Sequence, residues 1–254
     1  MNLSTIVSRL DETLDNAAYS DVDASANGLQ IGPADRDIDH IAFAVDAATA
    51  TIEAAADAGA DLLVTHHGLS WGGIERVTGR QYDRISALID HDIALYVSHL
   101  PLDGHQTHGN AAGLAALIGL IATEPFGSLG SLTIGQQGRV DGAMTIDELG
   151  ELLSAELDRE KPVRLLDFGA RELDRVAIVT GSGVDWLDEA VAAGCDTLIT
   201  GEGKQQVYHE AREAGINVVL AGHYATETFG VRSLQSLVDD WGVKTSYHSH
   251  PTGL

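Results

Sequence analysis

Cysteine is almost absent. The single Cys195 among 254 residues excludes an intrachain disulfide framework. Long apolar runs are missing too: none approaches the ~18–20 residues that a membrane span needs. The opening Met1-Asn2-Leu3-Ser4-Thr5 has no basic stretch followed by an apolar one, so no signal peptide is read there. These absences together predict a soluble, cytoplasmic protein. Positive charge is scarce as well. The chain carries 15 basic against 38 acidic side chains, a formal charge of −23. A general nucleic-acid binder needs a basic face that releases counterions, and this composition excludes one. Only three of the cations are lysines: Lys161, Lys204 and Lys244. Acidic excess with few lysines fits a cytosol rich in salt, where screening relieves the self-repulsion. Hydrophobic residues, at 44%, are plentiful enough to build a core, which excludes a disordered acidic tail.

What is present is organised as a repeat. Ile41 to Gly68 and Val176 to Gly203 align without a gap, with 8 of 28 positions identical. Each reads as an apolar strand, a small-residue turn, a helix, a glycine stop and a second apolar strand. Gly59 and Gly194 fall where a helix terminates. The likeness continues into two further strands, 93–99 and 216–223, each ending in His-x-x-x-Asp/Glu: His99 to Asp103 and His223 to Glu227. Upstream, a helix near 4–15 and a strand near 28–32 match a helix near 145–158 and a strand near 163–167. The second of these helices opens on the capping-box pattern Thr145-Ile-Asp-Glu148. The predicted fold is therefore α/β, with two similar lobes from an internal duplication and mixed sheets covered by helices. The Gly-rich segment Phe126–Ser131 is the natural joint, giving lobes at 1–125 and 126–254.

In such sheets functional groups collect beyond the strand C-termini. The histidines of this chain lie there. Leu62-Leu-Val-Thr65 runs into His66-His67-Gly68, and the other strand ends supply Asp103, His223 and Glu227. Imidazole and carboxylate donors without a thiolate suit Zn, Mn, Fe or Ni better than Ca. Five ligands exceed what one tetrahedral ion takes, whereas two ions sharing a bridging carboxylate would use them all. Read singly, each residue is ordinary: a polar loop, a turn acid after Pro101, a pair one helical turn apart. Their joint placement at matching strand ends is what points to a site. Glu202 aligns with His67, and His99 with His223, which makes both candidates for supporting ligands or carrying protons. Gly181-Ser182-Gly183 follows a strand and opens a helix. Its backbone N–H groups would hold a phosphate, or the segment is simply a tight turn.

Six pieces in order carry a family resemblance: Asn27-Gly-Leu-Gln-Ile-Gly32, Val64-Thr-His-His-Gly68, Ser98-His-Leu-Pro-Leu-Asp103, Gly109-Asn110, Thr200-Gly-Glu202 and Ala221-Gly-His-Tyr-Ala-Thr-Glu227. The sequence resembles the GTP cyclohydrolase I type 2 family, the NIF-three-like dinuclear metal proteins, in the compact form without an inserted middle domain. The resemblance implies two similar α/β domains, a pair of divalent ions at their interface and a toroidal hexamer. It implies His66, His67, Asp103, His223 and Glu227 as metal ligands, with Glu227 bridging, and His209 as a substrate contact. Gly203-Lys204 departs from the residues the family often shows after Gly-Glu.

The implied activity is metal-dependent hydrolysis of a small molecule, a nucleotide among the options. The family name implies attack of an activated water on C8 of the guanine ring of GTP, followed by ring opening and loss of formate. The alternative is a non-enzymatic metal-binding or scaffold protein. A triphosphate would meet a strongly acidic chain, so the ions and local cations such as Lys204 would have to offset that repulsion.

Overall fold

The apolar runs singled out above become strands because they are buried on both faces, as parallel sheets require. A computed structural model describes all residues, 1–254. In chain order its elements are α1 (Leu3–Leu14), β1 (Gly28–Ile31), β2 (His40–Asp46), α2 (Thr49–Asp57), β3 (Leu62–His67), α3 (Arg80–Asp90), β4 (Ala94–Val97), α4 (Leu100–Gly104), α5 (Asn110–Leu117), β5 (Leu120–Leu129) and β6 (Leu132–Val140). There follow α6 (Ile146–Glu156), β7 (Arg164–Asp167), β8 (Arg175–Ile178), α7 (Leu187–Ala192), β9 (Thr197–Thr200), α8 (Val207–Ala214), β10 (Asn217–Leu220), α9 (His223–Thr226), α10 (Thr228–Asp239) and β11 (Lys244–Tyr247). No helix is long and apolar enough to cross a membrane.

The chain divides into two compact units. The first comprises Met1–Leu102 and Gly230–His250. Its five-stranded sheet has the order β1-β4-β3-β2-β11, parallel except where β1 runs against β4. Ala42, Ala44, Leu63, Leu95 and Val97 of the sheet form a core with Ile52 and Ala55 of α2 and Leu88 of α3. Helix α1 buries Leu3, Ile6, Leu10 and Leu14, the spacing of one helical stripe. Its N-terminus is capped by Asn2, whose side chain accepts from the Ser4 N–H.

The second unit comprises Asp103–Phe229 and Pro251–Leu254. Its six-stranded sheet has the order β5-β6-β8-β9-β10-β7. Strands β8, β9 and β10 are parallel; β7 and β6 run against them at either side. Val176, Ile178, Ile199 and Val219 pack with Leu114 of α5 and with Leu149 and Leu153 of α6. The expected capping box is formed: the Thr145 hydroxyl accepts from the Glu148 N–H, and the Glu148 carboxylate accepts from the Thr145 N–H.

The duplication is visible in the strand order. The run β1-β4-β3-β2 in the first unit matches β7-β10-β9-β8 in the second, with the same directions. Even a small device is repeated. Asp61 accepts from the backbone of Asp39 and His40, and Asp196 accepts likewise from Asp174 and Arg175. Gly59 and Gly194 follow their helices at φ +69° and +73°, the left-handed region that only glycine enters cheaply.

Two expectations need correction. The segment Phe126–Ser131 is not a joint: it belongs to a hairpin, with Gly130 and Ser131 turning between the paired Leu129 and Leu132. Because β6 also pairs with β8, this hairpin ties residues 120–140 into the second sheet. The chain therefore divides near 102/103, not at 125/126. Residues 230–250 return to the first unit because β11 pairs with β2 over Lys244–Tyr247. The second correction is one of register. Ser98 and Ala221 donate to the equivalent Thr65 and Thr200 carbonyls, which places His99 opposite Gly222 and not opposite His223. Gly222, at φ +101°, carries the chain through that turn.

Candidate metal centre

In the first unit, β3 ends on His66 and His67, and His99 follows β4 next door. Their ring centroids lie 4.6 to 5.6 Å apart, and the donor atoms of the three rings are within 4.8 Å of one another. His66 is fully buried. Each ring is held at Nδ1 by an oxygen that accepts: the Ser98 carbonyl for His66 at 3.0 Å, the Asp46 carboxylate for His67 at 2.9 Å and the Asp23 carboxylate for His99 at 2.9 Å. An oxygen of this kind takes a proton from Nδ1, so in the neutral ring the lone pair sits on Nε2. Metal-binding histidines are oriented in this way, with a carbonyl or carboxylate fixing tautomer and ring plane.

The supports are themselves anchored. Ser98 donates from its hydroxyl to Asn16, which donates to Tyr96, whose phenol donates to Asp11. Asp23 accepts from Ser25 N, Asn27 Nδ2 and Leu100 N besides His99. Burial opposes ionisation of Asp23, but the His99 ring and the other donors outweigh it and hold the carboxyl below its usual range. Trp71, half exposed, meets the His99 ring edge-on at 4.8 Å.

In the second unit, His223 opens α9 after β10, and Glu227 lies one turn on, buried to 3% exposure. His223 Nε2 is 3.1 Å from Glu227 Oε1, and Nδ1 is 3.1 Å from Glu202 Oε1. Glu202 lies just beyond β9 and takes a short bond from the Ser182 hydroxyl. That hydroxyl, ahead of His223, holds the Glu202 carboxyl below its usual range, against the effect of burial. Burial works against a charged His223, yet the two carboxylates outweigh it and raise its pKa to about 9. Asp103, buried, accepts from Asn110 Nδ2 at 2.8 Å and Thr180 Oγ1 at 2.9 Å.

The local backbone is shaped for these side chains. A Cβ on Gly181 would stand 2.2 Å from Glu227 Oε1 and 3.2 Å from His223 Nε2. Gly201 occupies the repeat position of His66, and a Cβ there would meet the His223 Cα at 2.6 Å. The second copy therefore has no room for a histidine at that point.

The donor set fits divalent metal: imidazoles with Nδ1 already committed, and buried carboxylates fixed by neighbours. A thiolate takes no part, since the single cysteine, Cys195, belongs to none of these clusters. Other expected residues stand elsewhere. The N–H groups of Gly181 and Gly183 are taken by the Thr226 and Thr200 hydroxyls, which favours the tight turn over the phosphate-holding reading of this segment. His209 lies on α8 and lines, with Tyr208 and Arg164, a cavity of about 400 Å³ outside the histidine and carboxylate clusters. Lys204 is tied to Asp185. Sequence reasoning missed Asp23 and the orienting roles of Asp46 and Ser98. Only the approach of β4 to Asp23 and Asn27 reveals the first.

Fold and site together define a two-unit α/β protein with buried His, Asp and Glu clusters suited to divalent metal. The chain belongs to the Duf34/NIF3 (NGG1p interacting factor 3) family, whose model matches residues 1–250. It is 55% identical to the "GTP cyclohydrolase 1 type 2 homolog" of Halobacterium salinarum, with both chains covered in full. Among solved structures it resembles TTHA1606 from Thermus thermophilus, with a TM-score of 0.89 and 33% identity, and protein ybgI, with a TM-score of 0.91 and 32% identity. Each of these matches covers both chains completely.

Proposed function

We propose that this chain is a divalent-metal-dependent hydrolase of the GTP cyclohydrolase I type 2 kind. The observation that carries the reading is the Nδ1 clamp on all three clustered histidines. His66, His67, Asp103, His223 and Glu227 would hold two divalent ions, with Zn, Mn, Fe or Ni as the suitable metals. Ions bound there supply Lewis acidity and lower the pKa of a water toward ~7. Glu202, kept ionised by the Ser182 hydroxyl, holds His223 at Nδ1, which leaves Nε2 for the metal, and its other carboxylate oxygen would accept a proton. His99, aligned by Asp23, presents Nε2 for a second transfer. With GTP as substrate, the products are the ring-opened nucleotide and formate.

The resemblance also supports a ring of six chains, which light scattering would register at six times 26.8 kDa. The acidic excess and the Halobacterium salinarum relative support adaptation to high salt. The test is formate release from GTP by the metal-loaded protein in molar KCl. Asp103→Ala and Glu227→Ala are expected to abolish it. Full, chelator-resistant turnover by either variant would overturn the mechanism.

A further inference from the structure

Within the second unit, a cavity of about 200 Å³ opens beside the segment that carries His223. Its lining takes in Gly201, Glu202, Gly203, Gly222 and Tyr224, then Arg159 and Lys161 of the loop from α6 into β7 with Arg164 at the start of β7, and the last residues of the chain up to Leu254. In a chain of net charge −23, three cations within six residues are an unusual concentration.

Their partners differ in kind. Arg159 donates from Nη1 to the Lys161 carbonyl at 2.8 Å and from Nη2 to the Ser154 carbonyl, so it braces the loop against α6. Arg36, Arg139, Arg171, Arg175 and Lys204 are each ion-paired with an Asp or Glu. Lys161 and Arg164 form no such pair. The acidic side chains in the lining are Asp158 and Glu202, and Glu202 is bound to Ser182 and His223; Leu254, which also lines the cavity, accepts at its terminal oxygen from the His223 N–H.

We propose that Lys161 and Arg164 recognise the phosphate tail of a small anionic substrate in this cavity. The volume supports the assignment. Sites for whole drug-sized ligands occupy ~300–1,000 Å³, so this one suits a phosphate or diphosphate and not an entire nucleotide. Chemistry supports it as well: an ammonium and a guanidinium are the usual pair of phosphate readers. The placement sets the tail of the substrate beside the loop that bears Glu202 and His223. As a statement about substrate, the proposal rests on the hydrolase reading; as a statement about binding, it stands apart from the metal.

The test titrates inorganic pyrophosphate into the whole chain in 1 M KCl, metal-loaded and chelator-treated, following ³¹P line width, with metal content measured in parallel. Lys161→Gln and Arg164→Gln are each expected to weaken binding about tenfold, the loss expected for a hydrogen bond to a charged group. Lys204→Gln, whose ammonium already serves Asp185, is expected to stay within twofold. Circular dichroism verifies that the variants fold. Absence of pyrophosphate binding, equal binding by the parent, Lys161→Gln and Arg164→Gln chains, or binding that vanishes on chelation would overturn the proposal. In the last case the metal reading survives. Pyrophosphate binding by a chain that takes up no metal would sustain the proposal and refute the hydrolase.

Discussion

Asp23→Asn probes how the histidine cluster is built. The side chain is 1% exposed and receives four donors. Oδ1 accepts from His99 Nδ1 and Ser25 N, both at 2.9 Å; Oδ2 accepts from Asn27 Nδ2 at 2.9 Å and Leu100 N at 3.0 Å. A carboxylate can take all four, whereas an amide has one oxygen and an NH₂. Whichever way the amide turns, two donors face hydrogens. A hydrogen bond to a charged group contributes about 1.5–3 kcal/mol, so two lost bonds cost about 3–6 kcal/mol. At about 2–4 °C per kcal/mol for a chain of this size, thermal unfolding followed by circular dichroism should shift down by roughly 6–24 °C. Because His99 loses the acid that aligns it for proton transfer, metal-dependent turnover should fall about 10–100-fold. A variant within about 1 kcal/mol of the parent, the usual size of an unremarkable substitution, and with unchanged turnover would refute the reasoning.

Three further outcomes follow from the second unit. Gly181→Ala places a Cβ 2.2 Å from Glu227 Oε1 at a residue with φ +60°; left-handed backbone and overpacking together cost about 2–5 kcal/mol, and an unperturbed melting temperature would contradict the site geometry. His223, raised to about 9 from an ordinary 6.5, is protonated at neutral pH in the metal-free chain. Its contribution to stability is therefore complete below pH 6.5 and lost as pH rises through 9, so the metal-free chain should melt progressively lower across that window. Metal uptake near pH 7.5 should release about one proton from this ring, measurable by calorimetry in buffers of different ionisation enthalpy; no buffer dependence would contradict the assignment.

Much of the fold was legible because the duplication repeats both pattern and punctuation. Apolar runs ending in His or acid, glycine stops at Gly59 and Gly194, and the Thr145–Glu148 cap each carry a local signal. The hairpin was not legible. Its first strand, Leu120–Leu129, is largely exposed and glycine-containing, so it lacks the buried run that marked the others. Strand β11, Lys-Thr-Ser-Tyr, is equally polar and gains its place only by pairing with β2. At the site, ligand-type residues stood out by position, but Asp23 and Ser98 act through contacts 76 and 32 residues away, which no spacing reveals. Of the two readings of Gly181–Gly183, the tight turn is favoured because hydroxyls of Thr226 in α9 and Thr200 at the end of β9, both distant in sequence, reach two of its donors. The His99 and His223 equivalence slipped because a motif match ignores the extra residue at Gly222.

The central claim is that these histidine and carboxylate clusters hold metal. Elemental analysis of the chain after incubation with divalent salt and gel filtration in molar KCl addresses it directly. The account predicts two divalent ions per chain, with fewer than one retained in His66→Ala and Glu227→Ala. A folded parent chain that emerges without bound metal, or variants that retain both ions, would contradict it.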